Sequence, residues 1–182
     1  MKKLFALLAC TIMLSACNEA KNETQKVETD ESFNKVKAAG VFVLGLDDSF
    51  PPMGFRDKEN NIIGFDIDLA KEVCARLGIE LKTQPISWDA KEQELNTGKI
   101  DCIWNGMSVD SARAKAMNLS DPYLKNRMIF TVKDKALANL ESLKGKKIAV
   151  QNGSTAQKLL DASEAGKAAK EIVPFDDNQT AL

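Results

Sequence analysis

From Val41 onward, short apolar runs of strand length alternate with segments whose apolar residues return at helical spacing. That alternation leaves few folds open besides an α/β architecture. Val41–Leu46 (VFVLGL), residues 79–85, residues 100–104, Lys147–Gln151 and Glu171–Phe175 read as strands, and residues 127–133 as a further extended segment. Between them, Phe65, Leu69, Val73 and Leu77 mark one face of a helix that Gly78 stops. Residues 90–96 form a short helix ended by Thr97-Gly98, Asp110 can cap a helix from Arg113 to about Met117, and residues 140–143 make a helical turn. Another helix is predicted from Ser154 to about Ala165. Residues 47–61 are loop-rich, with Pro51-Pro52, Gly54 and a hairpin turn around DKENN. Residues 176–182 look like the start of a helix rather than the end of a domain, so the chain reads as C-terminally incomplete. With 182 residues and 44% hydrophobic content, one domain or two small lobes can bury a core.

The N-terminus has a different logic. Lys2 and Lys3 precede an apolar run from Leu4 to Leu14, which is a signal-like segment too short to span a bilayer. Leu14-Ser15-Ala16-Cys17 then resembles the bacterial lipobox, whose cysteine is diacylated on sulfur and becomes the mature N-terminus; an uncleaved anchor or a plain secretory signal is the alternative. Two or more acyl chains hold a protein firmly at a membrane where one does not. Residues 1–16 are therefore expected to be a signal peptide, and residues 17–32 a lipidated Cys17 followed by a flexible tether. The stretch NEAKNETQKVETDE has almost no apolar side chain to offset its ordering entropy.

Charge and cysteines narrow the function. Lysine plus arginine (25) nearly balances aspartate plus glutamate (26), so no strong field calls for nucleic acid or an anionic membrane surface. The chain has no histidine, which weakens zinc sites and Cys-His nucleophiles together, and no cofactor or metal is expected. With Cys10 and Cys17 assigned to the leader and anchor, Cys74 and Cys102 remain; buried free thiols are favoured over a disulfide.

GLDDSFPPMGFRD (45–57), GFDIDLAKEVCARLG (64–78), LNTGKIDCIWNGMSVDSARA (95–114), LSDPYL (119–124) and LKGKKIAVQNGST (143–155) stand in order along the chain. This set resembles the polar-amino-acid solute-binding family of ABC importers. The resemblance implies a periplasmic-binding-protein-like type II clamp, with a first lobe over 33–126, a hinge crossing at 127–133 and an incomplete second lobe over 134–182. It further implies a monomeric, exported protein, held on the outer face of the membrane or in the periplasm by its lipid anchor. Its partners would be an amino acid and permease subunits, and no catalytic residues are expected.

A zwitterion in such a cleft needs a receptor for each charge, because an unpaired buried charge is costly. Arg113, in the family-like SVDSAR stretch, is the carboxylate candidate: its planar guanidinium grips two oxygens at once. The plain alternative is a surface arginine on an amphipathic helix. Asn105, Gly106 and Ser108 match the loop lining the family's cleft, or are a turn glycine and its polar neighbours. Phe50 and Trp88 match the two aromatics that sandwich the ligand, though an aromatic alone is more often core. Asp47 and Gln151 resemble side-chain-selecting positions and would suit a polar or cationic ligand. Thr155 starts a helix whose free amides could meet the carboxylate, or Ser154 there is a simple N-cap.

The competing readings are an enzyme on the same clamp, a sensory ligand-binding lobe and a non-functional remnant of a truncated gene. Apart from Asp47 the cleft residues offer no general-base pair, and this disfavours the enzyme. If the second lobe is incomplete, its unpaired edge and apolar faces predict that the segment does not fold alone as a tight binder.

Overall fold

The computed structural model describes residues 30–137 and 139–182. The signal segment, Cys17 and nearly all of the expected tether lie outside them. Among the described residues no helix is long and apolar enough to cross a membrane.

The chain enters through α1 (Ser32–Ala39), which buries no residue and which the sequence pattern does not announce. It then forms β1 (Val41–Leu46), whose last three residues are buried. Their continuous apolar character suits a strand flanked on both sides. β1 pairs in parallel with β5 (Glu80–Pro85) on one side and β6 (Cys102–Ile103) on the other, giving the order β5-β1-β6. β6 is shorter than the five-residue strand expected there.

Three short strands, β2 (Ser49–Phe50), β3 (Gly54–Arg56) and β4 (Ile62–Ile63), form an antiparallel sheet after β1. Its β3–β4 turn is the hairpin expected at DKENN: the Asn61 N–H donates to Asp57 Oδ1 at 2.8 Å, and Asn60 takes a φ of 68°. α2 (Phe65–Leu77) packs Ile67 and Ala70 against Leu44 and Leu46 to make the main core. It ends at Gly78, whose left-handed φ of 67° suits a residue without Cβ.

A single helical turn at Trp88–Ala90 leads into α3 (Lys91–Asn96), and α4 (Arg113–Ala116) follows β6. Residues 127–133 pair with no strand and are exposed. The C-terminal half is built on β7 (Lys147–Gln151) and β8 (Glu171–Phe175), parallel and in register from Lys147↔Glu171 to Gln151↔Phe175. Ile148, Val150 and Leu160 form its core. The helix expected from Ser154 to Ala165 is two helices, α5 (Thr155–Ala162) and α6 (Glu164–Ala168), because the Ser163 hydroxyl accepts the Gly166 N–H and starts the second. α7 (Asn178–Ala181) follows, with Asp177 as its N-cap. Both remaining cysteines are free thiols; Cys74 is buried and Cys102 half-buried.

Candidate functional site

The loops leaving the carboxyl ends of β1, β6 and β7 face one another, which is where open α/β sheets place their ligands. Asp47 directly follows β1 and is 5% exposed. Its Oδ2 accepts the Gln151 amide at 2.7 Å across the two halves, and its Oδ1 accepts the Ser49 N–H at 2.8 Å. Buried Asn105 clasps the Asp47 backbone from beyond β6, accepting its N–H at 3.2 Å and donating to its carbonyl at 3.3 Å. Gln151 also accepts from Asn178 at 2.9 Å. Burial pushes the Asp47 carboxyl above its ordinary range; the bonds from Ser49 and Gln151 oppose that, and the nearby charges of Asp177 and Asp48 add to it. The groups bonding this carboxylate are neutral amides, so the corner is energetically receptive to a cation.

A second cluster centres on Arg113, the first residue of α4, which is 6% exposed. Its Nη1 donates to the Ser108 carbonyl at 2.7 Å and to Thr155 Oγ1 at 2.9 Å, so the guanidinium joins the halves. Asp110 caps the turn ahead of it, accepting the Ala112 and Arg113 N–H groups at 2.8 and 3.0 Å; the Arg113 bond leads in holding the Asp110 carboxyl below the usual range. Ser154 is indeed an N-cap, its hydroxyl accepting the Gln157 N–H at 3.1 Å, and Thr155 opens α5 beside it. A cleft of about 580 Å³ opens here, bordered by Lys91, Asp110, Arg113, Ser154, Thr155 and Lys158. The Ser108 hydroxyl accepts from Asn126 at 2.9 Å.

Gly106 has a φ of 60°, and a Cβ there would sit 3.6 Å from the Phe50 ring, in ordinary contact. Its glycine character therefore answers a backbone conformation more than a close approach. Its N–H donates to the Tyr123 hydroxyl at 3.2 Å, which in turn donates to Asp66 Oδ1 at 2.9 Å. Phe50 is half-buried, whereas Trp88 is buried, with the Lys91 ammonium 5.2 Å from its ring centre.

The structure thus gathers Asp47, Asn105 and Gln151 in one cluster, and Ser108, Arg113 and Thr155 in another. Phe50 lies beside Gly106, and Trp88 lies beside Lys91, whose ammonium in turn donates to Gly153 of the far half. Lys91, Asp66 and Tyr123 are additions to the sequence reading. A lysine in a charged helix looks solvated, and GFDID and SDPYL give no sign that their polar residues meet. Among the described residues no group of three or more acidic or cysteine side chains is placed to hold a metal ion.

Residues 42–179 match the model of the bacterial extracellular solute-binding proteins, family 3. The chain belongs to this family. It is 28% identical over 150 residues to the L-cystine-binding protein TcyJ of Escherichia coli K12, an alignment covering 81% of this chain and 55% of that one. It is 31% identical to the arginine-binding extracellular protein ArtP of Bacillus subtilis, covering 85% and 57%. The chain spans about half the length of these curated relatives. Among solved structures, it superposes with a TM-score of 0.75 and 33% identity on an ABC uptake transporter substrate-binding protein from Streptococcus pneumoniae with bound histidine, over 84% of this chain and 64% of that one. The fold is therefore the periplasmic-binding-protein-like type II clamp, and the halves described above are parts of its two lobes.

Proposed function

We propose that this chain captures an amino acid outside the cytoplasm for an ABC importer, binding it between the lobes and delivering it to the permease without chemical change. The observation that carries this reading is Arg113: a buried guanidinium, bonded to both lobes, at the edge of an open cleft. The ligand carboxylate would replace the Thr155 hydroxyl on Arg113 and meet the free amides at the start of α5. Its side chain would extend towards Asp47 and Gln151, whose buried carboxylate and amide suit a polar or cationic group, with Phe50 and Trp88 as apolar walls. Relatives named for arginine and cystine, and the histidine-bound neighbour, support a polar amino acid.

The same reading places the hinge at 127–133, between a first lobe from residue 33 and a second from residue 134. It takes Cys17 as the lipid-anchored first residue of an exported monomer.

A thermal-shift panel on the complete protein tests the proposal. Polar amino acids should raise the melting temperature, by mass action equivalent to about 2.7 kcal/mol at a hundred times Kd. Stabilisation by sugars, peptides or metals alone would sink it. Arg113→Ala should abolish the ligand-induced shift; its ligand-free melting temperature should also fall, because the buried bonds to Ser108 and Thr155 are lost, so the shift is read against each protein's own ligand-free value.

A further inference from the structure

Lys91 is the one lysine among the described residues that the fold buries, at 4% exposure. A buried ammonium is costly unless bonded. Here it donates to the Trp88 carbonyl of its own turn at 2.9 Å and, across the cleft, to the Gly153 carbonyl at 3.1 Å. Burial first, and then the neighbouring Arg113 charge, push its pKa down.

The surroundings of that cross-lobe bond are shaped to fit it. Gly153 has a φ of 65°, and a Cβ on it would come within 2.8 Å of the Asp89 Cα. Beside it, Asn152 donates to Asp89 Oδ2 at 3.1 Å. Residues 88, 89 and 91 of the first lobe therefore meet residues 152 and 153 of the second. The next residues, Ser154 and Thr155, form the start of α5, where Thr155 accepts from Arg113.

We propose that Lys91 is the latch of the clamp: a positioning residue that grips the Gly153 carbonyl, holds the lobes closed and sets the start of α5 over Arg113. Gly153 is the matching half of the latch, glycine because any side chain would wedge the Asp89 backbone away. The bond to Trp88 keeps the ammonium aimed across the cleft, and since that ammonium lies 5.2 Å from the centre of the buried Trp88 ring, the exposure of the ring is expected to follow the latch.

The latch makes a prediction that requires no ligand, so its failure and that of the amino-acid reading are separable. In the full chain carrying Trp104→Phe, Trp88 is the only remaining tryptophan. Acrylamide quenching of its fluorescence, well below the melting temperature, then reports lobe opening. Lys91→Met keeps the aliphatic stem but not the donor, and Gly153→Ala wedges the other side while leaving every core side chain in place. Both should raise the quenching constant several-fold with the far-UV circular dichroism unchanged. Quenching equal to the parent in both variants overturns the proposal. So does a rise in Lys91→Met alone, which would mean that Lys91 only covers Trp88 within its own lobe. So does a rise that tracks lost helical signal. Should Lys91→Met fail to fold, Gly153→Ala decides by the same criteria.

Discussion

Two carboxylates share the cleft region, and their surroundings give them different work. Asp47 stands among neutral donors and nearby acids, as a selector of cations would. Asp66, fully buried on α2, accepts from the Tyr123 hydroxyl, which in turn accepts the N–H of Gly106. Its Oδ2 and the Trp104 indole nitrogen are both buried without a hydrogen-bond partner. Burial raises the Asp66 carboxyl above its ordinary 3.8, against the bond from Tyr123. An acid raised in the folded state binds its proton more tightly there than in the unfolded chain. The stabilisation this gives is complete below the unfolded value and is lost as pH rises through the folded one. Urea unfolding of the parent and of Asp66→Asn across the acidic range should therefore show the parent losing stability relative to the variant as pH rises from 3.8 towards neutrality. Parallel curves would mean that Asp66 does not titrate in that range.

At the scale of elements, the entry to α2 is a place where two pieces of backbone pass close together. Gly64 precedes the helix at a φ of 133°, and a Cβ there would run into the Met53 carbonyl. The Met53 carbonyl accepts the Asp66 N–H at 3.0 Å, and that of Pro52 accepts the Phe65 N–H at 2.9 Å, so the first turn of α2 is held by the loop after β2. Gly64→Ala should cost about 1–3 kcal/mol from the backbone conformation alone, with the steric conflict adding to it. Ile67→Ala, one turn inside, should cost about 2–5 kcal/mol through the cavity it leaves. Chemical denaturation of each measures both, and a neutral Gly64→Ala would contradict the described entry.

The same helix shows what sequence can disclose. Its apolar period and glycine stop are local signals, and the 65–77 boundaries follow from them directly. α1 lacks such a signal, because SFNKVKAA buries nothing. The break at Ser163 is also invisible to periodicity, since it depends on one hydroxyl capping a new helix within an apolar pattern. In the site, Arg113 and Asp47 are legible because their motifs are contiguous. Lys91 and Tyr123 are not, because their partners lie 62 and 17 residues away.

At the scale of the whole molecule, five polar contacts among the described residues tie the lobes: Asp47 to Gln151, Arg113 to Thr155, Lys91 to Gly153, Asp89 to Asn152, and Lys158 to Asp110 at 3.4 Å. The first two use groups that the proposed ligand would need. Because Thr155 holds the Arg113 donor and Gln151 bonds the Asp47 carboxylate, capture at these groups is expected to require the lobes to part first. In stopped-flow mixing with L-arginine, followed by tryptophan fluorescence, the observed rate should climb at low concentration and then level off at the rate of opening. Hinge motions of this kind lie on the order of microseconds to milliseconds. The outermost contact, Lys158 to Asp110, is exposed on its lysine side, so added salt should screen it and raise the plateau. A rate that rises linearly without limit, at about 10⁵–10⁷ M⁻¹s⁻¹, would mean that the lobes already stand apart in solution and that the closed arrangement forms only around a ligand.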